Sequence, residues 1–181
     1  EEENVPAVTE YTVNDRGYFD DPGFRPTITT FPVPQGVPVK GAVLVCAGGA
    51  FQYRSDSNEG TPVARALSEL GYQSFVVDYR LHPYTQQEGA LDLARAVRFV
   101  RNNAEIYGIE PDDIAVMGFS AGGILAGEML LNFDGTVSPA VLDPDYIPDE
   151  LDAVPADAAA DGMIYSFYGR LSVGTTDVEL L

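Results

Sequence analysis

The chain has 181 residues, a formal net charge of −18 and a hydrophobic fraction of 45%. This length and apolar content suffice for one folded domain with a sizeable core, and they argue against intrinsic disorder. The acidic surface repels phosphate backbones, so nucleic acid is not an expected partner, and no apolar run is long enough for a membrane span. One cysteine and one histidine allow neither an internal disulfide nor a zinc site of the usual type.

The first 40 residues predict an arm followed by an edge strand. The chain opens Glu1-Glu2-Glu3 without a methionine, which fits a trimmed export signal and equally a trimmed expression tag. The export reading favours a location outside the cytoplasm. Residues 27–33 have strand character, but Pro32 and two prolines after it suit an edge strand better than a central one.

From residue 41 onward, strand and helix patterns alternate. The continuous apolar run at 41–46 is typical of a strand covered on both faces, and residues 73–79 predict the next strand. A helix is expected from Thr61-Pro62, where proline suits the first turn, to Gly71. A longer helix at about 87–107 follows. Its apolar residues recur at three- and four-residue steps, and three arginines lie largely off that stripe: Arg95, Arg98 and Arg101.

A third strand at 114–117 precedes a helix at 124–131, and this alternation predicts a right-handed, parallel α/β sheet. Residues 133–160 are acidic and proline-rich, which indicates a loop or cap region. Residues 162–168 predict one more buried strand. We therefore expect an arm and edge strand over residues 1–40, and part of a single domain over residues 41–181.

Between the third strand and its helix lies Gly118-Phe119-Ser120-Ala121-Gly122, a Gly-x-Ser-x-Gly sequence. A serine on a tight strand-to-helix turn has a strained backbone, so its close neighbours must lack bulk, and Gly118 and Gly122 meet that need. The turn presents the hydroxyl above the sheet, at the positive end of the helix. In this setting the motif is typical of a nucleophile elbow and predicts Ser120 as the catalytic nucleophile. An ordinary glycine-rich turn is the alternative.

Three segments resemble the α/β-hydrolase superfamily in their order and spacing: Ala47-Gly48-Gly49-Ala50-Phe51, Tyr79-Arg80-Leu81-His82-Pro83 and Gly118-Phe119-Ser120-Ala121-Gly122-Gly123. The similarity is to small esterases of the acetyl-esterase and acetylxylan-esterase type, near the hormone-sensitive-lipase group. It covers about residues 41–131, with a weaker echo at 149–168. It implies an α/β-hydrolase fold, with a mostly parallel sheet, helices on both faces and C-terminal strands that this chain lacks.

The resemblance also implies an oxyanion hole. In the family a turn after an early strand, usually His-Gly-Gly-Gly or Pro-Gly-Gly-Gly, supplies backbone N–H groups; here the turn reads Ala-Gly-Gly-Ala. Because main-chain amides act, Gly49, Ala50 and the amide of Ala121 are the predicted donors, with a plain tight turn as the alternative. The Tyr-Arg-x-x-Pro segment is structural in the family. His82 within it is therefore predicted to be a surface or hydrogen-bonded loop residue and not the catalytic base.

The family order is serine, then acid, then histidine, and no histidine follows Ser120. We expect a C-terminal fragment or second chain to carry the acid and the base; a truncated product and a degenerate binding relative are alternatives. The acidic residues at 143–161 lack a calcium-loop pattern and predict a solvated loop.

The resemblance implies a serine carboxylic-ester hydrolase for short acyl esters, above all acetyl esters of sugars or glycans. It implies no metal and no cofactor, and a homo-oligomer is compatible with it. A serine peptidase of the prolyl-oligopeptidase type and a catalytically inactive binding protein are the alternative functions.

Overall fold

The computed structural model describes residue 20 and residues 24–171, so predictions for residues 1–19, 21–23 and 172–181 lie outside the described part. Five strands form one sheet in the order β1-β3-β2-β4-β5. Their bounds are β1 Thr27–Phe31, β2 Gly41–Cys46, β3 Tyr72–Asp78, β4 Ile114–Phe119 and β5 Ala160–Ile164. β1 pairs antiparallel with β3, whereas the other pairs are parallel. The predicted mostly parallel sheet with an N-terminal edge strand is confirmed.

Helices cover both faces of this sheet. On one face α1, Thr61–Glu69, packs over a small apolar cluster that includes Val43, Val45 and Val76. On the other face α2, Gln86–Asn102, and α4, Ala121–Asn132, cover the larger core, to which Leu44 and Cys46 belong. Because successive side chains of a strand point to opposite faces, every residue of β2 is buried. The same burial raises the pKa of the Cys46 thiol.

The long helix predicted over residues 87–107 is interrupted near its end. It begins with a capping box, in which the Thr85 side chain accepts a hydrogen bond from the Glu88 N–H and the Glu88 carboxylate accepts one from the Thr85 N–H. It stops at Asn103, whose side-chain amide donates to the Phe99 carbonyl over 2.8 Å. Such bonds compete with the helical pattern, and a separate turn, α3 Ala104–Tyr107, follows.

The segment between α4 and β5 is only partly the solvated acidic loop that its composition predicts: Asp145, Glu150 and Asp157 are exposed, whereas two other carboxylates pair with arginines of α2. Arg95 forms an ion pair with Asp149, and Arg98 lies within 3.4 Å of Asp152. Arg98 is fully buried and donates to two main-chain carbonyls of the segment, at 2.7 and 3.3 Å. Arg101 donates to two more. The arginines that lie off the apolar stripe of α2 therefore hold this segment against the helix.

The last predicted strand is shorter and more exposed than expected. β5 ends at Ile164 because the next residue, Tyr165, has a φ of 40°, which is incompatible with an extended strand. The prediction of strand structure over residues 165–168 is therefore wrong. β5 is only partly buried because, within residues 24–171, β4 is its one strand neighbour. No helix in the described part of the chain is both long and apolar enough to cross a membrane.

A buried ion pair ties the end of β3 to α2. The Asp92 carboxylate accepts hydrogen bonds from the Arg80 main-chain N–H at 2.9 Å, from Nε at 3.0 Å and from Nη2 at 2.8 Å. The guanidinium also lies 4.8 Å from the centre of the Tyr84 ring. Arg80 and Asp92 are 7% and 8% exposed, and Asp92 is the nearer carboxylate of Arg80, at 2.8 Å against 3.9 Å for Glu88.

We predict that Asp92→Ala lowers the free energy of unfolding by about 3–5 kcal/mol, because it leaves the Arg80 charge buried without its main partner. Urea denaturation measures this loss. Asp112→Ala removes an exposed carboxylate and serves as the matched control. Equal unfolding midpoints for the two variants would contradict the assigned contribution of the ion pair.

Candidate active site

Ser120 occupies a strained position between β4 and α4, with φ 50° and ψ −114°. A Cβ on Gly118 would lie 2.2 Å from the carbonyl carbon of Gly122, and a Cβ on Gly122 would lie 2.2 Å from the carbonyl oxygen of Cys46. Real Cβ atoms do not approach backbone so closely, so only glycine fits at these two positions. The strain and the close neighbours that the motif predicts are both present.

The main chain of Ser120 is held by residues at the end of β5. Its N–H donates to the Ile164 carbonyl at 2.9 Å. Its carbonyl accepts from the Ser166 hydroxyl at 2.9 Å and from the Ile124 N–H at 3.1 Å. These contacts fix the serine peptide from two sides.

The turn after β2 lies directly beside Ser120. A Cβ on Gly48 would be 3.0 Å from the Ser120 Cβ and 2.6 Å from the Phe119 carbonyl oxygen. The turn closes through a 3.0 Å hydrogen bond from the Gln52 N–H to the Gly49 carbonyl. Ala50, with a φ of 56°, takes a left-handed conformation that glycine adopts without strain. Ala50 thus adopts a backbone conformation that suits glycine, the residue that the family usually carries there.

Three N–H groups near the serine have no acceptor within residues 24–171, namely those of Gly49, Ala50 and Ala121. Gly48 differs, since its N–H donates to Glu59 Oε2 at 2.7 Å. Ala121 is the first residue of α4, so its N–H also carries the positive end of the helix dipole. The groups available for a developing oxyanion are therefore those that the sequence predicts, although their catalytic role stays a prediction.

The Tyr-Arg-x-x-Pro segment holds the same turn. The Tyr79 hydroxyl donates to the Ala47 carbonyl at 2.6 Å, and the main-chain N–H of His82 donates to the Phe51 carbonyl at 2.9 Å. The His82 side chain is exposed. The segment stabilises the turn after β2 through the Tyr79 hydroxyl and the His82 main chain, which is consistent with the structural role that the resemblance implies.

Sequence reasoning missed two residues of this site, Glu59 and Tyr165. Glu59 lies in a π-helical turn, Asp56–Gly60, and its second carboxylate oxygen accepts from the Tyr165 hydroxyl. This hydrogen bond raises the pKa of Tyr165 to about 12. The two residues are 106 positions apart, and no local pattern singles out either of them.

A cavity of about 530 Å³ lies elsewhere, between β1, α2 and the 139–151 segment. Its wall includes Ile28, Phe99 and Leu142, and neither Ser120 nor the turn after β2 contributes to it. The candidate active site is thus the open carboxyl edge of the sheet and not this cavity. Within the described residues, no cluster of three or more His, Cys, Asp or Glu side chains is arranged to hold a metal ion.

A mostly parallel sheet, helices on both faces and a strained serine between β4 and α4 define an α/β-hydrolase fold. Residues 32–138, more than half of the chain, match the BD-FAE family model, and the chain belongs to this family. The superfamily resemblance drawn from the three sequence segments is confirmed.

Relatives and solved structures agree with this assignment. The chain is 32% identical over 105 residues to the acetylxylan esterase of Xylanibacter ruminicola, covering 58% of this chain and 21% of that protein. It is 35% identical over 80 residues to the probable carboxylic ester hydrolase LipM of Mycobacterium tuberculosis, covering 44% of this chain and 19% of that protein.

Among solved structures, the chain is similar to the acetyl ester-xyloside bifunctional hydrolase from Caldicellulosiruptor lactoaceticus. The TM-score is 0.64 at 29% identity, covering 82% of this chain and 52% of that one. The chain thus spans about a fifth of the length of these two curated relatives and about half of this solved chain.

We predict that Gly122→Ala destabilises the fold by at least about 1–3 kcal/mol, because the added methyl meets the backbone at the end of β2. Thermal unfolding measures the effect. Gly169→Ala is the matched control, since nothing lies within 4 Å of the added Cβ. A variant at Gly122 as stable as the one at Gly169 would contradict the close packing of the elbow.

Besides Glu59, a second carboxylate lies near the turn after β2, that of Asp56, and its charge destabilises the folded state. Burial, and next the Asp78 carboxylate, raise the pKa of Asp56 from 3.8 to about 6, although Arg54 opposes the shift. One Asp56 oxygen is buried without a hydrogen-bond partner. The folded state therefore binds this proton more tightly than the unfolded chain does. The resulting stability is present below about pH 4 and is lost as the pH rises through about 6.

We predict that Asp56→Asn, which carries no charge at any pH, raises the melting temperature relative to the wild type at pH 7.5. The difference should shrink towards pH 4, where the wild-type carboxyl is protonated in the folded state. Melting curves from pH 4 to pH 8 test this, with the exposed Asp112→Asn as control. A pH-independent difference would show that burial of the Asp56 charge is not its cause.

Proposed function

We propose that the protein to which this chain belongs is a serine carboxylic-ester hydrolase that cleaves short acyl esters, in particular acetyl esters of sugars or glycans. One observation carries the proposal: the strained Ser120 lies beside a turn and a helix terminus whose N–H groups have no other described acceptor. The names of two relatives, an acetylxylan esterase and an acetyl ester-xyloside hydrolase, support the substrate class.

In this proposal the Ser120 Oγ attacks the acyl carbon, and the carbonyl oxygen becomes an oxyanion. The N–H groups of Gly49, Ala50 and Ala121 stabilise that charge, and loss of one such donor typically costs about 2.7–4 kcal/mol of transition-state stabilisation. The alcohol leaves with a proton, an acyl-enzyme remains on Ser120, and water then releases the acid.

The proton requires a base. We assign this role to a histidine oriented by an aspartate or glutamate, both carried by a C-terminal part of the hydrolase that is either continuous, docked as a fragment or a second chain. The exposed His82 stays in its structural role, because it precedes the serine and its main-chain N–H donates to the turn after β2.

The alternative functions have less support. A peptidase of the prolyl-oligopeptidase type often carries an aromatic residue where Ala121 stands, and two similar curated proteins are named as ester hydrolases. An inactive binding protein has no need of the strain at Ser120.

We predict that a fluorophosphonate probe labels the complete protein at Ser120, and that the protein hydrolyses p-nitrophenyl acetate and releases acetate from acetylated xylan. Ser120→Ala should lose the label and lower kcat by about 10⁴-fold or more, because no other group forms the acyl-enzyme. Ser57→Ala, an exposed serine, is the control. Absence of label on the wild type would refute the hydrolase proposal, and preference for aminoacyl-proline amides would favour the peptidase.

A further inference from the structure

We propose that Glu59 and Tyr165 are a positioning pair that sets the turn carrying Gly49 and Ala50 against the nucleophile. This inference rests on the proposed function, since it names how the oxyanion donors of that same site are held. Glu59 touches neither substrate nor reacting atoms. It acts through the main chain of the turn.

The first half of the contact joins Glu59 to the turn. Its Oε2 accepts the Gly48 N–H at 2.7 Å and would lie 2.9 Å from a Cβ at Gly48. The Ser120 Cβ would lie 3.0 Å from that same point. Glu59 is therefore next to the nucleophile, but it is engaged with the peptide immediately before the two predicted donors. A charge-assisted bond of this kind is short and strong, and it fixes the direction of the peptides that follow.

The second half joins Glu59 to the end of β5. Its Oε1 accepts the Tyr165 hydroxyl, and the Tyr165 ring packs on Phe119 with centroids 5.8 Å apart. Each carboxylate oxygen thus has one donor, from opposite sides of the site. The hydrogen bond to Glu59 raises the pKa of Tyr165 to about 12.

Tyr165 lies between the two residues that hold the nucleophile. Ile164 accepts from the Ser120 N–H, and Ser166 donates to the Ser120 carbonyl, both at 2.9 Å. The positive φ of Tyr165, 40°, lets its neighbours reach Ser120 while its own side chain reaches Glu59. One three-residue segment therefore contacts the main chain of Ser120 through the Ile164 carbonyl and the Ser166 hydroxyl, and it contacts the turn after β2 through Glu59. Backbone strain at such a position is typical of a functional site.

The test uses the complete, active protein. Glu59→Ala and Tyr165→Phe should each lower kcat by about 10- to 100-fold, because a misplacement of about 1 Å costs rates of that order. KM should change less than about twofold, because the donors act mainly in the transition state. The affinity for a trifluoromethyl ketone that forms a tetrahedral adduct should fall in parallel with kcat.

Two further variants separate positioning from charge. Glu59→Gln can accept from the Gly48 N–H and donate to the Tyr165 oxygen, so it should recover most of the activity that Glu59→Ala loses. The double variant Glu59→Ala/Tyr165→Phe should be little worse than Glu59→Ala alone, because the hydroxyl acts only through the carboxylate. The controls are Tyr168→Phe, which changes an exposed tyrosine three residues after Tyr165, and Glu69→Ala, which changes an exposed glutamate of α1.

Glu59 or Tyr165 variants that behave like their controls would overturn the inference, as would additive effects in the double variant. If Glu59→Gln is as slow as Glu59→Ala, the positioning role is wrong and the negative charge of Glu59 is what matters. If the wild type shows no hydrolysis, the proposed function fails by itself. In that case the melting temperatures of the wild type, Glu59→Ala, Tyr165→Phe and the double variant are compared. If the two single changes in melting temperature add up to that of the double variant, the contact between Glu59 and Tyr165 is overturned.

Discussion

The site depends on one steric constraint, the close approach of the start of α4 to the end of β2. A Cβ on Gly122 would lie only 2.2 Å from the Cys46 carbonyl oxygen, so no side chain fits between helix and strand at this position. β2 and β4 are parallel neighbours, with Cys46 in register with Gly118. The turns that follow these two strands therefore emerge side by side at one edge of the sheet, which is where ligands bind in open α/β sheets. The proximity of the turn after β2 to the serine is a consequence of this packing.

The fold follows from the sequence wherever the pattern is local. Apolar runs mark β2, β3 and β4 because parallel strands covered on both faces need them, and Thr61-Pro62 and Gly71 bracket α1 because of their own backbone preferences. One error arises where a distant contact decides, because the burial of Arg98 depends on carbonyls about 40 residues later in the chain. The helix break at Asn103 is a local feature, where the Asn103 side chain donates to the Phe99 carbonyl.

The residues of the site also differ in whether the sequence predicts them. Ser120 and its supporting glycines are predictable because they form one short local motif, in which a Cβ on Gly118 would meet the backbone of Gly122. The departure from the family's turn, Ala50, is tolerable because one alanine adopts a left-handed φ at modest cost. Glu59 and Tyr165 are not predictable from the sequence. A glutamate in a polar turn and a tyrosine after a strand are common, and only the tertiary structure brings them together.

A carboxylate beside the proposed oxyanion hole raises an electrostatic question, above all in a chain with a formal charge of −18. The Glu59 charge opposes negative charge that develops near Ser120, by about 1–4 kcal/mol for full charges 4 Å apart at an effective dielectric constant between 80 and 20. Both carboxylate oxygens accept a hydrogen bond, one from the Gly48 N–H and one from the Tyr165 hydroxyl. In the proposed mechanism loss of one oxyanion donor costs about 2.7–4 kcal/mol, and two of the three proposed donors follow the peptide that Glu59 holds. The repulsion is thus of the same size as the contribution of one donor, and the orientation of both amides is what offsets an acidic residue in this position.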